Sequence, residues 1–205
     1  MLILFITLGV LLLLVTILFL TYPSLKRRYF KRHYVKAYGR RVFSVANNLD
    51  FYLINRLVLE APDDTKLKVD HLLFGDKYIY VIKDYYLYGA IEGKDIDNSF
   101  IFYSMNKKDN LKSYIDNLLN ENDKRIEKLA MITGNKKTFF INIVILNNDC
   151  DISRLQVENK HRFIIHRKDL KIVVEQLEAK DIAPLEKNKL NYLVHDLAKL
   201  NLRDK

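Results

Sequence analysis

The sequence predicts an α/β protein, with an N-terminal transmembrane helix followed by a mixed β-sheet flanked by helices. Three observations predict it. The first 25 residues carry no charged side chain. Several short runs beyond them alternate apolar with polar residues or are rich in β-formers, as strands are. Longer runs repeat apolar residues at three- and four-residue spacing, as helices do. The chain has 205 residues, of which 49% are apolar, with only six Gly, three Pro and one Cys. That composition excludes collagen-like, disulfide-rich and largely disordered classes.

Met1 to Tyr22 is the anchor. About 20 apolar residues in a helix span a hydrocarbon core of roughly 30 Å. Thr7, Thr16 and Thr21 are its only polar residues, and each can return its hydroxyl to the helix's own carbonyls. A cleaved signal peptide would want a positive n-region and a small-residue cleavage site. Neither is present, so a retained anchor is expected over 1–22.

A basic juxtamembrane segment, 23–41, follows. It holds Lys26, Arg27, Arg28, Lys31, Arg32, Lys36, Arg40 and Arg41 and no acid. The whole chain has 34 Lys and Arg against 25 Asp and Glu, a formal charge of +9. Removing those eight leaves 26 against 25, so the body is nearly neutral. The positive-inside rule puts the C-terminal body in the cytoplasm, at the cell membrane, in a single-pass arrangement. Anionic lipid headgroups are the expected partners of the collar. Nucleic-acid phosphates are a second reading, given Tyr29, Phe30, Tyr34 and Tyr38 among the basic residues, and docking of a partner is a third.

The body, 42–205, is expected to form one α/β domain with C-terminal helices. Val42, Val45, Ala46, Leu49, Leu53 and Leu57 predict a helix over Gly39 to Glu60, broken by Pro62, Asp63 and Asp64. Lys66 to Phe74 alternates as a strand. Gly75 and Asp76 turn it into a second strand, Lys77 to Ile82. Tyr85 to Glu92 and Ser99 to Met105 read as two more. Lys108 to Met131 carries a helical stripe. Thr138 to Leu146 is a continuous apolar run, as in a strand buried on both faces. Arg162 to Ile165 reads as a short strand and Asp169 to Leu177 as a helix. Pro184 suits the first turn of a last helix reaching Leu200.

The stretch Lys68 to Gly93 resembles the nuclease-related domain, NERD, a branch of the restriction-endonuclease-like PD-(D/E)xK fold. Val69-Asp70-His71 matches the family's apolar-Asp-His element. Gly75 and Tyr78 to Ile82 match its hairpin. Gly89-Ala90-Ile91-Glu92-Gly93 matches its glycine element. The resemblance covers Gly39 to about Leu146 and implies a restriction-endonuclease-like sheet. It also implies where an active site would lie, and there the sequence departs. The family's catalytic Glu falls on Lys83 and its catalytic Lys on Tyr85. The acid of its first helix falls near Arg41. The Asn-Pro-x-x-Gln element opening its later helix falls on Asn110 to Tyr114, keeping only the Asn. Asp70 alone is retained.

Such a nuclease needs two carboxylates on a divalent cation and a Lys near the attacking water. Lys83 puts an ammonium where the cation belongs, and Tyr85 is a poor base, with a reference pKa of about 10. The expectation is a pseudoenzyme with no cofactor, in which Lys83 pairs with Asp70. It would bind nucleic acid or a protein partner at the inner membrane face. An alternative is a metal-dependent nuclease that uses Mg²⁺ through relocated ligands around Asp70, with Glu92 and Asp84 as candidates. Another is a structural or interaction protein retaining only the fold. Asp95 and Asp97 lie close to the expected site in sequence as further candidates, with solvated turn acids as the competing reading, and His71 reads as a core or supporting histidine rather than a ligand. His161 and His166 are no obvious metal pair, and Cys150 reads as a free turn thiol. The tyrosines Tyr78, Tyr80, Tyr85, Tyr86 and Tyr88 reflect strand propensity more than base stacking.

Overall fold

A computed structural model describes residues 2–61, 63, 65–105 and 112–203. The chain divides into two compact units, Met1–Ala37 and Tyr38–Lys205.

The first unit is helical throughout its described residues, within helix α1 (Leu2–Leu49). Leu8, Leu11 to Leu14, Leu18 and Phe19 are all exposed. This helix is long and apolar enough to cross a membrane. Thr16 and Thr21 donate their hydroxyls to the carbonyls of Leu12 and Ile17, each at 2.8 Å, so neither presents an unmet polar group.

The second unit holds two mixed sheets and the helices around them. β1 (Tyr52–Glu60), β2 (Lys66–Phe74), β3 (Ile79–Tyr85), β7 (Phe140–Leu146) and β9 (Arg162–His166) form the larger sheet in the order β1-β2-β3-β7-β9. β1, β2 and β3 run antiparallel, while β3, β7 and β9 are parallel. β4 (Gly89–Lys94), β5 (Ser99–Ser104), β6 (Lys112–Asp116) and β8 (Asp151–Gln156) form the smaller sheet in the order β6-β5-β4-β8. The helices are α2 (Leu118–Thr133), α3 (Leu170–Glu178) and α4 (Lys187–Leu200). β7 is buried at every position, as its largely apolar run implies for a central parallel strand, and the one polar residue in it, Asn142, donates to Leu119 O at 2.9 Å. Val81, Phe140, Ile126 and Leu129 join one core beneath α2 and α4.

Several expectations are corrected. The helix expected over Gly39 to Glu60 stops at Leu49, where Asp50 takes a left-handed φ of 55°. Phe51 N donates to Ala46 O at 2.9 Å and closes the turn. The chain beyond it becomes β1, because Leu57 and Leu59 alternate inward against β2. The four-residue spacing of Leu49, Leu53 and Leu57 mimicked a helix across that boundary. The helix expected from Lys108 begins only at Leu118, and Lys112–Asp116 is a strand. Asn117 supplies the start signal, its side chain accepting from Leu119 N. The strand expected from Tyr85 to Glu92 is split, with Tyr85 ending β3 and Gly89 opening β4. β8 was unanticipated, and a single sheet is replaced by two. The last helix starts at Lys187 rather than at Pro184. Pro62, Asp64 and Asn110, invoked above as breakers or motif residues, lie outside the described residues.

Candidate functional site

Strand alternation puts Lys83 and Tyr85 on one face of β3 and Asp84 on the other. The α2 face carries the first pair. Lys83 Nζ lies 3.0 Å from Asp70 Oδ2 on the neighbouring strand. It also stands 5.6 Å from the centroid of the Tyr85 ring. Asp70 Oδ2 accepts a second hydrogen bond, from Asp84 N at 3.1 Å. The carboxylate is therefore held by one side-chain cation and one backbone donor.

α2 adds a residue that sequence reading missed. Glu121, in the first turn of the helix, accepts the Tyr85 hydroxyl proton bond and is gripped by Arg125. Arg125 Nε in turn donates to Lys68 O at 2.9 Å, tying the helix to β2. Burial opposes charge on Glu121, yet the bonds from Tyr85 and Arg125 hold its carboxyl below the usual range. Burial, and then the bond to Glu121, push the Tyr85 hydroxyl well above its ordinary value. Tyr85 thus keeps its proton and serves as a hydrogen-bond donor to Glu121. The available signal was the Asn117 cap followed four residues later by Glu121, hidden because the helix was expected to start earlier.

The residues present do not fit a divalent cation. A nuclease-type site needs the Asp70 carboxylate free to share a cation with a second one. Here an ammonium occupies its lone-pair side, where Coulomb repulsion would meet the cation. Among the described residues no group of three His, Cys, Asp or Glu side chains is arranged to hold a metal.

The relocated-ligand candidates lie elsewhere. Asp84 points to the opposite face and is buried, its Oδ2 2.9 Å from His71 Nε2. Burial raises its pKa, which His71 partly offsets. His71 Nδ1 meets Asn55 Oδ1 at 2.6 Å, extending the buried His71–Asp84 pair to an exposed Asn55 on β1; a Cβ added at Gly39 would lie 3.5 Å from the imidazole. His71 is thus a core residue, as its facing implied. Glu92 sits in the smaller sheet, accepting from Tyr103 at 3.1 Å and facing Arg154 at 3.5 Å. Asp95, against the reading as a solvated turn acid, is buried. Its Oδ2 accepts from Asn159 N at 3.1 Å. Asp97 caps its own turn by accepting from Lys94 N at 2.7 Å.

The remaining residues are structural in their settings. His166 bonds the Cys150 carbonyl at 2.7 Å. His161 meets Tyr78 edge-on at 6.1 Å between ring centroids. Cys150 is a free thiol but a buried one, with its pKa pushed up to about 12 by burial. Tyr80 is fully buried and donates to Glu178 at 2.6 Å, which removes it from any base-stacking surface. Along α1, Lys26, Arg27, Arg28, Lys31, Arg32, Lys36 and Arg40 are exposed. Arg41 is not a free headgroup contact, since its guanidinium donates to Lys168 O at 2.8 Å.

No family model matches the sequence, and no curated protein matches it. Among solved structures it is similar to a protein of unknown function, AF1548, at 7% identity and a TM-score of 0.37. That match covers 81% of this chain and 96% of the other. A likeness so low carries no argument about fold or activity.

Proposed function

We propose that this protein is a membrane-anchored, catalytically inactive module with a restriction-endonuclease-like, NERD-like body. It binds nucleic acid or a protein partner at the inner face of the cell membrane, with its C-terminal body in the cytoplasm. The observation that carries the reading is the Lys83–Asp70 ion pair at 3.0 Å. The one resembled catalytic carboxylate is neutralised by the residue that replaces the resembled Glu. Tyr85, in place of the resembled Lys, holds its proton and donates a hydrogen bond to Glu121. The exposed basic collar supports contact with anionic headgroups.

The test uses the full chain purified in detergent, with Mg²⁺ or Mn²⁺ and labelled DNA or RNA. No cleavage is expected. Nucleic-acid binding, if that is the partner, falls steeply with salt. Cleavage abolished in Asp70→Ala would overturn the reading.

The nuclease alternative keeps one observation in its favour. Glu121 brings a second carboxylate to the Tyr85 side of β3, the side that also carries Lys83 and its partner Asp70. Asp84 and Glu92 do not serve that role in their present bonding.

A further inference from the structure

Among the described residues the smaller sheet ends at β6, on a different sheet from Asp70. β6 pairs with β5 on one side. Among the described residues no strand pairs with its other side. Such an edge offers a row of unpaired backbone N–H and C=O groups. Edges are commonly blunted by shortness, charged side chains, proline or a bulge; β6, reading Lys-Ser-Tyr-Ile-Asp, is short and charged but has no proline and keeps a regular register along β5, and its two charges are of opposite sign.

Its side chains carry a pattern. Ile115 packs toward the core with Phe100 and Leu119. Lys112, Tyr114 and Asp116 share the other face by alternation and are exposed, Tyr114 by 70%. That face is self-complementary when read backwards. Laid antiparallel on a second copy and centred on Tyr114, Lys112 falls opposite Asp116, Asp116 opposite Lys112, and Tyr114 opposite its own counterpart. Opposite charges and aromatic pairs are the cross-strand neighbours that stabilise antiparallel ladders. β8, the sheet's other edge, has no such symmetry. Its register on β4 shifts between Ala90 and Glu92, an irregularity that interrupts a self-paired ladder.

We propose that β6 is a self-association edge. Two copies of the chain join through antiparallel β6 strands about a two-fold axis at Tyr114, merging their four-stranded sheets into one continuous sheet. The contact is isologous, so it closes at the dimer and does not propagate into fibres. Charge self-complementarity selects a second copy over an unrelated strand, because an arbitrary partner has no reason to mirror the Lys-x-Tyr-x-Asp order. The inference goes beyond the function proposed above and does not depend on it.

Sedimentation of the full chain in detergent tests it. The expected result is a dimer that Lys112→Glu and Asp116→Lys each weaken by about tenfold, since each replaces two attractive pairs with two repulsive ones. The double variant Lys112→Glu/Asp116→Lys restores the wild-type affinity. Tyr114→Cys is expected to cross-link to itself on mild oxidation, because facing Cα atoms lie about 4.5–5.5 Å apart, within disulfide reach. Ser113→Cys, off the axis, is expected not to. Wild-type Cys150, 2% exposed, supplies the blank. A monomer at every concentration, a dimer indifferent to the charge variants, or no cross-link through Tyr114→Cys overturns the proposal.

Discussion

Lys83 on β3 and Asp70 on β2 form an ion pair of 3.0 Å, and the same Asp70 oxygen accepts the backbone N–H of Asp84 at 3.1 Å. The two roles are separable. Both side chains are partly solvated, 22% and 31% exposed, so the ion pair itself is weak. Lys83→Met is expected to cost less than about 1 kcal/mol. Asp70→Ala removes the acceptor of the Asp84 N–H as well and is expected to cost about 1 kcal/mol more. Urea unfolding of the two variants measures the difference. A larger loss for Lys83→Met would contradict this division of roles.

The buried His71–Asp84 pair sets a pH dependence. Burial raises the Asp84 pKa above its ordinary 3.8, outweighing the bond from His71. The folded state therefore holds this proton to higher pH than the unfolded chain. Its stabilising contribution is complete below the unfolded value and is lost as pH rises through the folded one. Glu178, also raised by burial, acts in the same direction. Asp84→Asn is expected to flatten the fall in stability as pH rises from 4 toward neutrality, leaving the Glu178 share. His71→Ala leaves the buried Asp84 carboxyl without its hydrogen-bond partner and is expected to cost about 1–3 kcal/mol. Unfolding curves across that range check both, and an unchanged slope in Asp84→Asn would contradict the first.

Gly89 opens β4 against the backbone of β5. A Cβ at this position would overlap the Tyr103 carbonyl oxygen, and at Gly93 it would come within 2.7 Å of the Phe100 ring. The backbone cannot yield as a side-chain tip can. Gly89→Ala is expected to destabilise by about 1–3 kcal/mol. Thermal unfolding measures it, and a neutral result would contradict the close approach.

Cys150 is expected to be unreactive. Its thiol is buried and holds its proton up to about 12, so little thiolate exists near neutral pH. A thiol reagent at pH 8 should label it slowly in the folded chain and promptly after denaturation. Fast labelling of the folded chain would contradict its placement.

Strands with strict alternation were legible in the sequence, and so was the buried parallel strand. Lys66–Phe74 and Phe140–Leu146 carry their burial pattern in their own residues. The Asp70–Lys83 pairing was also legible, because facing on adjacent strands follows from period two. The first helix was overextended, since Leu53 and Leu57 satisfy both periods and only Asp50's left-handed turn decides between them. The same ambiguity hid β6, and with it the true helix start at Asn117. Glu121 was lost for that reason alone. The smaller sheet depends on β8 and β4 pairing far apart in the chain, Ala90 with Asp151 and Glu92 with Arg154, and no local pattern encodes such a contact.

Closure of the Asp70 carboxylate to a divalent cation by Lys83 is central to the proposed function. Mn²⁺ titration of the full chain in detergent tests this most directly, alongside Lys83→Glu and Asp70→Asn. Wild type should show no site tighter than about 1 mM that depends on Asp70, while Lys83→Glu gains one by pairing two carboxylates. Sub-millimolar Mn²⁺ binding by wild type, abolished in Asp70→Asn, would contradict the account.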